Sequence, residues 1–306
     1  MFATFRATRL FRIIPVLLTP PPGTGPILAL VFILGTLPLG GAAQEGGTDN
    51  APRRIVSINL ATDELLLDLV HPERITALSR LATDPEVSRL AHRAANFPVT
   101  DGSPEDLLRL QPDLVLASIY TRPRTRDILA RANIPLVIVP PADDLPSARK
   151  ALLLVAEAVH EEARGEELAR RIDTVLQEIP VAATRPRTLV VGHGGSLYGE
   201  DTLWGHLLEV AGMENHATRW GVTSHGRLRL EDFLLDPPDL LIVLTYHPQN
   251  PSRGSLWPQH RALRGHSATV PTLEIPLAWT LNANHLTVET IHMLRAERTT
   301  RFSGTP

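Results

Sequence analysis

The 306-residue chain has no cysteine and a single lysine, Lys150. The first absence excludes disulfides, thiolate metal sites, a cysteine nucleophile and a lipid anchor on an amino-terminal cysteine. The second leaves arginine as nearly all of the basic complement, a compositional bias that does not by itself point to an anionic ligand. An excess of one charge is also lacking. Basic residues number 30 against 33 acidic ones, a formal net charge of −3, which leaves no electrostatic footprint for nucleic acid. No histidine pair has HExxH spacing, the signature of a zinc hydrolase. What remains, 43% hydrophobic and 21% charged residues, is ordinary globular composition. The length allows two domains with a sizeable core.

Long apolar runs are confined to the first 40 residues. Arg6, Arg9 and Arg12 precede two apolar stretches, Phe11–Leu18 and Ile27–Leu39, separated by Pro20-Pro21-Pro22-Gly23. The second stretch is short and Gly/Pro-interrupted for a membrane span, and Gly41-Ala42-Ala43 then precede Gln44. This pattern predicts a signal peptide over 1–43, cleaved after Ala43, followed by a loose leader over 44–53.

From Arg54 onward, short apolar strands alternate with helical patterns. Ile55–Ile58, Ile75–Leu78, Leu114–Ala117 and Leu136–Val139 read as strands, as do Thr188–Val191, Leu240–Leu244 and a segment near Thr269–Glu274. Leu65–Val70 reads as a helix capped by Thr62 or Asp63, and Leu203–Ala211 as one ended by Gly212. This alternation predicts an α/β fold with parallel sheets. The second half repeats the first: Glu105-Asp-Leu-Leu…Pro112-Asp-Leu-Val and Glu231-Asp-Phe-Leu…Pro238-Asp-Leu-Leu lie 126 positions apart throughout, which points to duplication. Between the halves, Lys150–Ala158 and Glu166–Ile179 read as two helices with a break near His160–Gly165.

Assembled, residues 53–297 resemble the bacterial periplasmic substrate-binding proteins of ABC importers for cobalamin, iron–siderophores and haem. The resemblance is carried by Arg54–Ile58 with Asn59–Glu64, by Glu105 with Pro112-Asp113-Leu114, by Gly199–Asn215, by Glu231 with Pro238-Asp239-Leu240, and by Trp279 ahead of Thr287–Arg295. It implies two Rossmann-like lobes, over 54–160 and 186–306, joined by a single long helix within 161–185. It further implies a carrier and not an enzyme, exported to the periplasm without a lipid anchor and expected as a monomer. The chain would have no cofactor, its ligand being an iron chelate, haem or a corrinoid, with an iron–siderophore expected first. The partner implied is a dimeric ABC permease, docked through Glu105 and Glu231.

Ligands of open α/β sheets sit outside the carboxyl ends of strands, so the loops there supply the candidates. They are Asn59, Arg80, Tyr120, Arg122, His193, Tyr198, His225, Tyr246, His247 and Trp279. Tyr120 and Tyr246 share the 126-residue offset and each follows a Pro-Asp strand; a phenol offers a flat apolar face, a hydrogen bond, or a ligand for Fe(III). Arg80 and Arg122 suit carboxylate or catecholate oxygens, whereas Arg124 and Arg126 read as a solvated helix face. Nine of the twelve histidines lie at or beyond His193, which keeps a divalent-metal carrier as one alternative. A hydrolase built on Gly192–Ser196 is the other, although that loop runs on to Tyr198 instead of closing a Gly-x-Ser-x-Gly elbow.

Overall fold

The structure, a computed structural model, describes residues 51–180, 185–246 and 270–302. The expected export signal, most of the leader and His247 lie outside the described residues.

The first lobe is a five-stranded, fully parallel sheet. Its strands are β1 (Ile55–Ser57), β2 (Ile75–Ser79), β3 (Val99–Thr100), β4 (Leu114–Ser118) and β5 (Leu136–Val139), in the order β3-β2-β1-β4-β5. Crossovers are made by α1 (Leu60–Leu69), α2 (Ala91–Ala94), α3 (Pro104–Leu110) and α4 (Pro123–Arg131). Neighbouring strand residues go to opposite faces, as the pleat requires. Ile55, Leu78, Leu114 and Leu116 face one cluster with α1, while Val56, Ala77 and Val115 face another with Leu107 of α3 and Leu129 of α4.

The second lobe contains β6 (Arg187–Val191), β7 (Ser196–Tyr198), α7 (Leu203–Val210), β8 (Glu214–Asn215), β9 (His225–Arg227), α8 (Leu230–Leu235), β10 (Leu240–Thr245), β11 (Thr272–Pro276) and α9 (Thr287–Phe302). Strands β8, β6, β10 and β11 are parallel, matching the expected pattern. Strands β7 and β9 are not: they extend the sheet antiparallel, in the order β11-β10-β6-β7-β9. The reversal occurs at Gly194 and Gly195, both left-handed at φ +67° and +77°, a conformation that glycine adopts without steric cost. Gly192 N–H donates to Ser196 O at 2.8 Å across the turn. The glycine-rich segment Gly192–Ser196 is therefore a tight hairpin.

The chain passes between the sheets through α5 (Leu145–Ala158) and α6 (Glu162–Gln177). Helix α6 starts four residues earlier than the charge pattern predicts, because the break is confined to 159–161, where His160 takes φ +58°. One apolar cluster runs from the inner face of the first sheet through α5 and α6 to Val190, Ile242 and Leu244 of the second sheet and Ile291 and Leu294 of α9. A smaller cluster, with Leu189, Val191 and Phe233, covers the other face of the second sheet.

Helices α5 and α6 approach so closely that a Cβ on buried Gly165 would lie 2.4 Å from Ala156 Cβ. Gly165→Val adds bulk there without the helix propensity that alanine would bring. It is expected to cost about 1–3 kcal/mol by overpacking, read as a lowered melting temperature; an unchanged melt would mean that the pair can separate freely.

The duplicated Pro-Asp elements prove to have a local structural purpose. Asp113 accepts the backbone N–H groups of Arg53 and Arg54 at 2.7 and 2.9 Å, fixing the entry to β1. Asp239 does the same for β6, accepting Arg187 N–H at 2.8 Å and the Arg187 guanidinium at 2.8 Å. The repeat thus encodes how each lobe's first strand is held beside its Pro-Asp strand.

Candidate functional site

The carboxyl ends of β1, β3 and β4 open onto a cleft of about 570 Å³ in the first lobe. Its lining includes Ile58, Asp101, Glu105, Tyr120, Arg122 and Arg124. Tyr120 is 78% exposed; its N–H donates to Ser118 Oγ, and the Arg126 guanidinium donates to the carbonyl of Ile119. Arg126 is therefore a brace for the loop that presents the phenol. Arg122 and Arg124 flank the start of α4 and bring two guanidinium groups to the same cleft. Arg124 is exposed in the first turn of α4, the solvated helix face expected for it, and that turn borders the cleft.

A second cavity of about 160 Å³ shares Ser118 and Tyr120 with the first. Asn59, Pro141 and Asp143 line it from the first lobe, and Leu281, Asn282 and Ala283 line it from the segment between β11 and α9. Asn59 is at the same time the N-cap of α1, its Oδ1 accepting Ala61 N–H at 3.1 Å. That helix consequently begins before Thr62 and Asp63, the caps expected from sequence.

In the second lobe the candidates meet in two pairs. His193 and Tyr246 make an edge contact, ring centroids 6.3 Å apart. Tyr198 and His225 make another at 5.6 Å. Tyr198 also lies over Gly192, where a Cβ would sit 2.6 Å from its hydroxyl, and burial pushes its phenol pKa up. No ring contact joins Tyr120 to Tyr246 among the described residues. Ser196 Oγ donates to the carbonyl of His193 at 2.9 Å, so the hydroxyl once considered as a nucleophile belongs to the hairpin. Among the described residues no group of three or more His, Asp or Glu side chains could hold a metal ion.

Two candidates lie elsewhere. Arg80, exposed, is next to Asp101 at the rim; Ser103 first, and Arg80 with it, hold that carboxyl below its usual range. Trp279 lies beneath the Arg89 guanidinium, 4.5 Å from its ring centroid, packed against the shared core. Arg89 also donates to Leu286 O at 2.8 Å and pairs with Glu289.

A cluster that sequence reasoning missed adjoins this stack. Asp63 and Glu64 are both buried on α1. Asp63 accepts Ser79 N–H at 3.1 Å. Glu64 accepts Arg89 N–H at 3.0 Å and Asn284 Nδ2 at 2.7 Å. Desolvation raises Asp63 to a pKa of about 6 and Glu64 to about 7, the latter helped by the neighbouring Asp63 charge. One turn on, His285 Nε2 donates to Asp68 Oδ2 at 2.7 Å, and Arg93 pairs with the same carboxylate. The acidic-apolar pattern of 63–68 carried no sign of this, because every partner is distant in sequence.

Glu105 and Glu231 are exposed in the first turns of α3 and α8. The capping of α3 is done by Ser103, whose Oγ accepts Asp106 N–H at 3.3 Å. Asp106 is tied to Thr100 and Arg109, and Asp232 approaches Arg229 at 3.7 Å. Neither glutamate makes a hydrogen bond or ion pair among the described residues.

A periplasmic binding protein family model matches residues 55–255. The chain belongs to the periplasmic binding protein family. It is a carrier of the periplasm that works with an ABC importer, and its small-molecule ligand is cargo and not a cofactor. Solved structures share the fold. The haem-binding protein HutB of Vibrio cholerae superposes with a TM-score of 0.65 at 18% identity, over 80% of this chain and 98% of its own. The haem-binding protein RhuT from Roseiflexus sp. RS-1, in apo form, gives 0.60 at 21% over 80% and 96%. The vitamin B12-binding protein BtuF of Vibrio cholerae gives 0.57 at 12% over 80% and 96%. No curated protein matches the sequence significantly.

Proposed function

We propose that this carrier captures an anionic Fe(III) chelate of the haem type and passes it to a dimeric permease that grips Glu105 and Glu231. The observation that carries the ligand reading is Tyr120: an exposed phenol in a cleft that also holds Arg122 and Arg124. A phenolate is a known ligand of ferric haem, and two guanidinium groups suit two propionates. A ferric siderophore usually offers no open coordination position to a phenol, so this trio favours a porphyrin over the siderophore expected first. The volume is of the order needed for a compact ligand, and the haem-binding neighbours support the same reading. The chain is proposed to act as a monomer, freed by cleavage after Ala43.

Hemin titration with absorption detection tests this. The wild-type protein is expected to shift the Soret band at one equivalent. Tyr120→Ala should weaken binding by about 1–3 kcal/mol, the worth of an aromatic face and its polar end. Tyr120→Phe should keep the face but lose the ligand-dependent spectral shift. Arg122→Ala with Arg124→Ala should weaken hemin more than its dimethyl ester. Tight binding of a ferric siderophore or cobalamin with none of hemin would overturn the reading.

A further inference from the structure

The segment 279–286, between β11 and α9, together with the first turn of α9 is fastened to the first lobe at five points. Trp279 stacks on Arg89, Asn284 donates to Glu64, His285 donates to Asp68, and Arg89 bonds both Leu286 O and Glu289. Its middle, Leu281–Ala283, is a wall of the smaller cavity that Tyr120 shares. The strap therefore belongs by chain to the second lobe, by bonding to the first, and by position to the cavity.

We infer that this strap is a proton-sensitive latch between the lobes, with protonation of Glu64 setting how firmly residues 280–286 are held. The geometry carries the argument. Glu64 is 2% exposed, directly follows the equally buried Asp63, and both its oxygens are engaged, one with Arg89 N–H and one with the strap's Asn284. The charged groups around it are Asp63 on its own helix, Arg89 from the β2–β3 connection, and beyond them Asp68, Arg93, His285, Glu289 and Arg171. Arg89 directs its guanidinium to Trp279, Leu286 O and Glu289, and gives Glu64 only its backbone N–H. The ionised carboxylate is thus buried beside a second carboxylate without a cation bonded to it. Letting the strap lift admits water to that charge, so ionisation favours the lifted state and protonation the closed one.

The expected size follows from linkage. With Glu64 near 7 when latched and at the ordinary glutamate value when water reaches it, closure strengthens about tenfold between pH 8 and pH 6. Hydrogen exchange of the ligand-free protein reads this directly. After correction for intrinsic exchange, amide protection over 280–286 should rise about tenfold from pH 8 to pH 6, while that of β4 stays level. Glu64→Gln, which carries no charge but turns an NH2 towards one of the two donors that Glu64 accepts, should lose the pH slope, its protection staying level at or somewhat below that of the wild type at low pH. Asp68→Asn should lower protection at every pH but keep the slope. Should Glu64→Gln misfold, the wild-type protein still decides: strap amide shifts and the Glu64 carboxyl ¹³C shift must titrate with one midpoint near neutrality. Flat protection in the wild type, or an undiminished slope in Glu64→Gln, overturns the latch. None of these readouts involves hemin, so they stand apart from the ligand proposal.

Discussion

Glu105→Ala combined with Glu231→Ala is expected to abolish uptake while the purified protein folds and binds as before. Both carboxylates stand exposed in the first turn of the helix that precedes a Pro-Asp strand, and the duplication puts them in equivalent places. Two like charges related by pseudo-symmetry suit a two-fold partner, each meeting the same basic surface. Their service as helix caps is small. Ser103 already caps α3, and the dipole contribution of an exposed carboxylate is about 0.3–1 kcal/mol. Glu105 also lines the larger cleft beside Arg122 and Arg124. Removing its charge leaves those guanidinium groups less compensated, so affinity for an anionic chelate should hold or rise slightly. The pattern sought is normal melting, normal or tighter hemin titration, and no transport, with each single variant intermediate and less salt-sensitive than wild type. Wild-type transport rates in the double variant would reduce both residues to surface decoration.

Most of the fold was legible because buried parallel strands announce themselves as apolar runs. Ile75–Leu78, Leu114–Ala117 and Leu240–Leu244 were placed within a residue or two of β2, β4 and β10. Gly212 was read as a helix terminator, and at φ +75° it follows the Ala211 C-cap of α7. The antiparallel β7 and β9 were not legible. Ser196-Leu-Tyr and His225-Gly-Arg are three residues each, too short for a period, and their pairing depends on two left-handed glycines. The first helix was started too late because Thr62 and Asp63 look like caps. In the folded chain Asn59 takes that place and Asp63 turns inward to Ser79. The site divides in the same way. Strand-end position was enough to bring Tyr120 and Arg122 to one cleft and His193 beside Tyr246, since topology alone fixes where strands end. It passed over Arg124, which lies in the first turn of α4 at the edge of the cleft, and Glu64, whose partner Asn284 is 220 positions away. Strand-end position also made Trp279 a ligand candidate, and its ring lies under the Arg89 guanidinium at the joint between lobes.

That joint gives the stability of the whole protein an unusual dependence on pH. Asp63 and Glu64 have folded-state pKa values raised to about 6 and about 7, from 3.8 and 4.5 in the open chain, with desolvation the leading cause for both. The folded protein consequently holds these two protons more tightly than the unfolded chain does. Their contribution is complete below about pH 4 and is lost as pH climbs through the interval up to about 7. Each is worth about 3 kcal/mol at most, and because the groups are adjacent they titrate as a pair. Opposing them are carboxylates whose pKa values lie below the ordinary range. Asp68 is one, against its own burial, through His285 and Arg93; Asp239 is another, through Arg187. These add stability above about pH 4 that is lost on further acidification. The raised pair predicts a fall in stability from about pH 6 towards pH 8, while on the acid side half-buried His206 and buried His216, whose pKa values desolvation lowers from 6.5, act with the lowered carboxylates to take stability away as pH drops. For a folded region of this size, 3 kcal/mol corresponds to roughly 5–10 °C in melting temperature. Glu64→Gln should therefore show a shallower slope between pH 5 and pH 8, its melting temperature gaining on that of the wild type as pH rises. Asp63→Asn added to it should flatten the slope further while costing some stability at every pH, since Asp63 also accepts from Ser79. Calorimetry at pH 5, 6, 7 and 8 on the three proteins is sufficient. A wild-type protein whose melting temperature rises steadily from pH 5 to pH 8 would mean that neither carboxylate is held protonated in the folded state. The latch would then lose its basis as well.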